Sequence, residues 1–159
     1  IELLLTKPVT DWQIVMGKFL STLILILITL ILTLPYYFTI WSLGPIDHGV
    51  VWSGYPGLVL MSAAYISIGL FASSLTNNQL VAFLLALLIG IFFHIIFEIL
   101  AQNTSGTLSD LLGYVNLSAH YNSISRGVVD TKDLIYFFSL TFVGLLLSEF
   151  GLAKRNIIE

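Results

Sequence analysis

Two ionisable residues interrupt an apolar run, LVAFLLALLIGIFFHIIFEIL over 80–100: His94 and Glu98, four positions apart. On a helix that spacing puts an imidazole and a carboxylate on one face. Inside a membrane span such groups are costly, and they face the protein interior or a polar path. One reading makes His94 and Glu98 the lining of a substrate path. The plainer reading has Glu98 reaching for the interface while His94 hydrogen-bonds a neighbour. Two ligands do not make a metal shell, and the His-Glu-x-x-His pattern is absent, so no metal is expected. Gly17-Lys18 lacks the upstream glycine of a phosphate-binding loop. Glu149 lies close to Lys154 and Arg155 and reads as an interfacial carboxylate. No residue set here performs catalysis, and no cofactor is implied.

The elements that carry these residues belong to a membrane. Of 159 residues, 57% are hydrophobic and 9% charged, with a mean hydropathy of +0.98. A soluble surface needs about 25% charged residues. The net charge of −3 and the lack of a basic run give nucleic acid nothing to bind. With no cysteine, disulfides and thiolate chemistry are excluded. Four apolar segments, about 19–43, 55–75, 80–100 and 134–153, each approach the roughly 20 helical residues that cross a bilayer core. They divide the chain into a polar segment 1–18, a transmembrane domain 19–153 with a long loop at 101–132, and a tail 154–159. The fold class is all-α: a polytopic membrane helix bundle of four spans, an N-terminal amphipathic helix and a short external helix. No internal repeat is evident.

Local signals mark where helices begin. Pro8 drives Lys7 out of the helical region. Thr10 and Gln13 then form a capping box, flanked by Val9 and Ile14 as a hydrophobic staple. Thr76 and Gln79, with Leu75 and Leu80, predict a second box after a tight turn. Asp130, with Val129 and Leu134, opens the last helix, and Asp133 falls in its first turn. Pro35 predicts a kink in the first span. In the long loop, Leu117, Tyr121, Ile124 and Val128 recur at helical spacing, with Ser118 as cap and Gly127 as stop. The segment is either a short rim helix or an ordinary interfacial loop.

Small residues form stripes: Ala82, Ala86 and Gly90 below His94 and Glu98, and Thr141, Gly144, Ser148 and Gly151 on the last span. Such stripes let helix backbones approach closely. Lys7 and Lys18 precede the first span, and Lys154 and Arg155 follow the fourth, so the positive-inside bias places both ends in the cytoplasm. Arg126 and Lys132, in the long loop, oppose that bias without reversing it.

The run ELLLTKPVT from Glu2 to Thr10, followed by Gly17-Lys18-Phe19, resembles the coupling segment of type-2 ABC transporter permeases. SAAYISIGLFASSLTNN over 62–78 and AHYNSISRGVVDTKD over 119–133 are similar to later parts of the same family, closest to its gliding-motility-associated branch. The resemblance implies a non-catalytic membrane subunit in a bacterial inner membrane, paired with a second permease subunit. An ATP-binding-cassette ATPase would dock at Glu2, Lys7, Pro8, Asp11 and Trp12, and the loop after the third span would match the family's external re-entrant helices. It also implies that the chain, which starts on Ile, is the C-terminal two-thirds of a permease. Two other classes stay open: a secondary transporter or channel that uses His94 and Glu98, and a non-transporting membrane scaffold.

Overall fold

The computed structural model describes residues 10–158, with 155–158 by backbone alone. Among these residues the chain forms helices joined by short connections, with no strand. The helices are α1 (Asp11–Leu43), α2 (His48–Ser74), α3 (Gln79–Ile91), α4 (Phe97–Asn103), α5 (Thr107–Val115), α6 (Leu117–Ser125) and α7 (Thr131–Ile158). A π turn, Phe92–Ile96, joins α3 to α4, so that Gln79–Asn103 crosses as one span. Four helices are long and apolar enough to cross a membrane. They alternate in direction, and α5 and α6 fill the connection before the last one.

Capping explains most of the boundaries. The Thr10 hydroxyl accepts from the Gln13 N–H at 3.3 Å, and the Gln13 side chain accepts from the Thr10 N–H at 3.2 Å. The predicted first capping box is therefore present. The helix it starts continues through Pro35 to Leu43 without interruption. The second box is corrected: Asn78 caps α3 by accepting from Leu80 N–H at 2.9 Å. Thr76 instead receives the Asn78 N–H at 3.2 Å, inside the turn.

The second membrane helix starts at His48 rather than near Tyr55, because Asp47 accepts from the N–H groups of Gly49 and Val50. Pro56 thus lies well inside α2, where its missing N–H would normally weaken a helix. Side chains on α1 hold this stretch in place. Thr33 Oγ1 and Tyr55 OH are 2.8 Å apart, as are Tyr37 OH and His48 Nδ1. Tyr37, Trp41 and Trp52 cluster beside His48, the amphipathic ring composition that collects at membrane interfaces.

Helix α2 forms the centre of the bundle and packs most extensively on α7, in parallel. A methyl group on Gly144 would sit 2.8 Å from the Ser67 Cβ, and one on Gly151 would sit 2.9 Å from the Ser74 Cβ. Both pairs are separated by seven residues, so a heptad of small residues on each helix sets the close approach. Ser148, between the two glycines, is buried and returns its hydroxyl to the Gly144 carbonyl at 2.7 Å. The small-residue stripe read in the last span is this contact. Val15, Phe19, Ile66 and Leu145 close one core cluster nearby, and Ala64, Leu117, Ile124 and Phe137 form the other.

The long loop holds two helices where one was expected. Its amphipathic stripe is real: Leu117 and Ile124 are fully buried, and Tyr121 packs beside them. The cap is Asn116, which accepts from the Ser118 N–H at 3.0 Å, so Ser118 is not the capping residue. Gly127 does end α6, at φ 94°, a left-handed conformation that favours glycine. Val128 lies beyond that stop and is exposed.

Candidate functional site

The π turn decides what His94 and Glu98 can do. A π turn winds an extra residue into a helix, which rotates everything after it by about 100°. The face that four-residue spacing predicts is therefore split. His94 stays with Ala86 and Gly90 beside α2, where its Nδ1 lies 2.9 Å from Tyr65 OH. These residues line an apolar cavity of about 270 Å³. Glu98 lines a different, polar cavity near the span's end, with Gln102 Nε2 donating to its Oε1 at 3.5 Å. The structure does not bring the two side chains into one site. His94 has the neighbour that the plainer reading gave it.

A second titratable pair, which spacing did not reveal, occupies the polar end. His120 Nδ1 lies 2.6 Å from Asp133 Oδ1, and both residues are buried. His120 Nε2 donates to the Tyr114 carbonyl at 3.0 Å. Tyr136 stacks on the imidazole at 3.9 Å between ring centres, and its hydroxyl donates to the Val115 carbonyl at 2.6 Å. The pair ties α6 to the first turn of α7, and the two carbonyls tie both to the end of α5. Asp133 Oδ2 is buried without a hydrogen-bond partner. In the sequence, Asp133 carries only the signal of a first-turn acid. His120, three residues after Leu117, falls on the stripe that α6 turns inward, which is the one clue to its burial.

Among the described residues no group of three or more His, Cys, Asp or Glu side chains could hold a metal ion. Together Glu98, Ser109, Asp110, Asn116, His120 and Asp133 wall much of a cavity of about 490 Å³. At the opposite end, Lys18, Ser73, Thr76, Asn77 and Gln79 border a smaller one of about 190 Å³. It adjoins α1 where that helix leaves its N-terminal cap.

The family model described as ABC-2 family transporter protein matches residues 1–149. The chain belongs to that family. None of the curated proteins and none of the solved structures compared with the chain matches it. As an ABC-2 family member it is an integral membrane subunit of an ABC transporter, of a kind that is generally non-catalytic.

Membership gives the first helix its context. Of the residues expected to meet an ATPase, Glu2, Lys7 and Pro8 lie outside the described residues. Asp11 occupies the first turn of α1, where a carboxylate favours the helix N-terminus. Trp12 is half-buried and packs on the cluster of Val15, Phe19, Ile66 and Leu145. Its ring therefore anchors α1 to α2 and α7, and only its remaining surface is open to a partner.

Proposed function

We propose that this ABC-2 subunit couples ATP hydrolysis in an ATP-binding-cassette ATPase to export across a bacterial inner membrane, with both of its ends cytoplasmic. The observation that carries the reading is α1. It is capped at Thr10, anchored by Trp12, and unbroken from the polar end of the bundle to Leu43. A helix continuous through the membrane transmits a push at one end as a rigid body, which a jointed connector would absorb. The contact is Glu2, Lys7, Pro8 and Asp11, with the exposed side of Trp12. A second permease subunit, identical or related, faces this one, and two alternative packings of the bundle open and close the path between them. Residues 62–78 and 119–133 support assignment to the gliding-motility-associated branch.

The secondary-transporter reading uses His94 and Glu98 as groups that line a substrate path. They line separate cavities, and His94 is engaged by Tyr65. This separation favours the driven-permease reading.

The test is co-purification of the natural protein from its native membrane in mild detergent, beside a Glu2→Lys, Lys7→Glu variant. The expected result is recovery of an ATP-binding-cassette ATPase with the natural protein and its loss with the variant, both being inserted and folded. Absence of any such ATPase from the natural protein's complex overturns the reading.

A further inference from the structure

Both ring nitrogens of His120 face acceptors. Nδ1 lies 2.6 Å from Asp133 Oδ1, and Nε2 lies 3.0 Å from the Tyr114 carbonyl. A neutral imidazole carries one N–H and one bare lone pair. With a neutral ring and an ionised Asp133, one of these two contacts would set acceptor against acceptor. The arrangement closes only when the pair holds a further proton, as an imidazolium beside a carboxylate or as a neutral ring beside a carboxylic acid. Tyr136 stacks on the ring, and both residues are buried, so the imidazole has little room to turn away. Asp133 Oδ2 is buried without a hydrogen-bond partner, which makes His120 the partner on which this carboxyl depends.

The contact stands where separate elements meet. His120 lies on the inward stripe of α6, between the fully buried Leu117 and Ile124. Asp133 is in the first turn of α7, and Tyr114 is near the end of α5. The shared proton therefore ties α5 and α6 to α7, at the end of the bundle away from Thr10. Without it, attraction at 2.6 Å becomes repulsion, and only apolar contacts hold α6. The pair borders the open polar cavity, which gives its proton a route to water. Other charges face it there. Glu98 from α4 and Asp110 from α5 line the same cavity and favour keeping the proton. Lys132, paired with Asp130 at 3.2 Å, also attracts Asp133 and favours losing it. Tyr114 and Tyr136 bring phenols, with Tyr65 of α2 behind Tyr136.

We infer that the His120–Asp133 pair is a proton-dependent latch, which fastens α5 and α6 to the start of α7 while it holds its shared proton and loosens them when that proton leaves. The fastened state binds a proton that the loosened state releases to water, so fastening weakens as pH rises. The latch is independent of the ATPase and is read without nucleotide.

The experiment is hydrogen exchange, followed by mass spectrometry, on the natural protein in nanodiscs. It runs from about pH 5 to about pH 9, across and beyond the range in which an ordinary histidine titrates. Protection is taken relative to the intrinsic exchange rate at each pH. The expected result is a fall of about tenfold in the protection of the α6 amides as pH rises, within the range that an unpaired buried acceptor costs. No matching fall is expected at the Thr10 end of α1. In Asp133→Asn the amide donates to Nδ1 while Nε2–H still serves Tyr114, so contact persists without a shared proton and the profile should be flat. His120→Gln, which has no proton to lose in this range, should also be flat and carries the comparison should Asp133→Asn fail to fold. Every other titratable group remains in these variants. A fall that persists in them, a flat profile in the natural protein, or a fall matched at the Thr10 end overturns the proposal.

Discussion

Single residues set the two tightest constraints in this subunit. Gly144 and Gly151 admit the α2 backbone because they have no side chain. Gly144→Ala is expected to lower stability by about 1–3 kcal/mol through overpacking, read as unfolding in detergent. Removing the Ser67 hydroxyl should relieve only part of the clash, because Oγ is nearest at 2.5 Å but Cβ still stands at 2.8 Å. Ser67→Gly should rescue it further than Ser67→Ala does, and equal rescue by the two would show that the Cβ contact does not limit the approach. His120 and Asp133 act by the opposite logic, as polar groups that need each other. Truncating either to Ala leaves its partner buried and unpaired, a loss of about 3–5 kcal/mol. His120→Leu combined with Asp133→Leu should cost less than the sum of the two truncations, and strict additivity in chemical unfolding would argue that they do not interact. Neither constraint follows from composition. The glycine stripe was legible because small residues at helical spacing have few other uses in a membrane. The His–Asp pair was not, because its partners stand thirteen residues apart on different helices and meet only through the α6 turn.

At the scale of elements, helix α1 bears the functional reading. Gly17 lies between its cap and the bilayer, and a methyl group there would touch nothing within 4 Å. Gly17→Ala is therefore expected to be neutral or stabilising by up to about 1 kcal/mol. Gly17→Pro removes a backbone hydrogen bond and crowds the preceding turn, at about 3 kcal/mol. In reconstituted transporter, Gly17→Pro should leave the ATPase bound while uncoupling hydrolysis from transport, and Gly17→Ala should leave both intact. If Gly17→Pro transported normally, α1 would not be the rigid link. Helices were legible where a cap stood next to an apolar run, as at Thr10. They were misjudged where the helix begins in polar sequence ahead of the apolar run. The second span was expected from about Tyr55, where the apolar run begins, while Asp47 caps the helix seven residues earlier, at His48. The π turn had no sequence signal at all: Phe92–Ile96 is as apolar as its surroundings, save for His94. It leaves the helix continuous while dividing the residues on either side between two cavities.

For the whole molecule the question is which end faces the cytoplasm. The first and third membrane helices bury little of themselves within the chain, so much of their apolar surface is left for lipid or another subunit. That surface fixes insertion but says nothing about direction. Charge does. Lys18 and Lys154 lie at the end with Thr10, whereas Asp47, Asp110, Asp130 and Asp133 gather at the other with Arg126 and Lys132. Cytoplasmic loops favour Lys and Arg, and in sequence Lys7 before the first span and Arg155 after the last add to the Thr10 end, so the proposed reading has Thr10 inside, within reach of an ATPase. The chain has no cysteine, so a single introduced thiol reports its side cleanly. Ser105→Cys and Asn77→Cys both replace exposed residues, one in the connection after α4 and one in the turn before α3. In intact cells a membrane-impermeant maleimide is expected to label Ser105→Cys and not Asn77→Cys, and to label both once the membrane is opened. The reverse pattern would place Thr10 outside. A cytoplasmic ATPase could then not reach α1, so the coupling reading would fail.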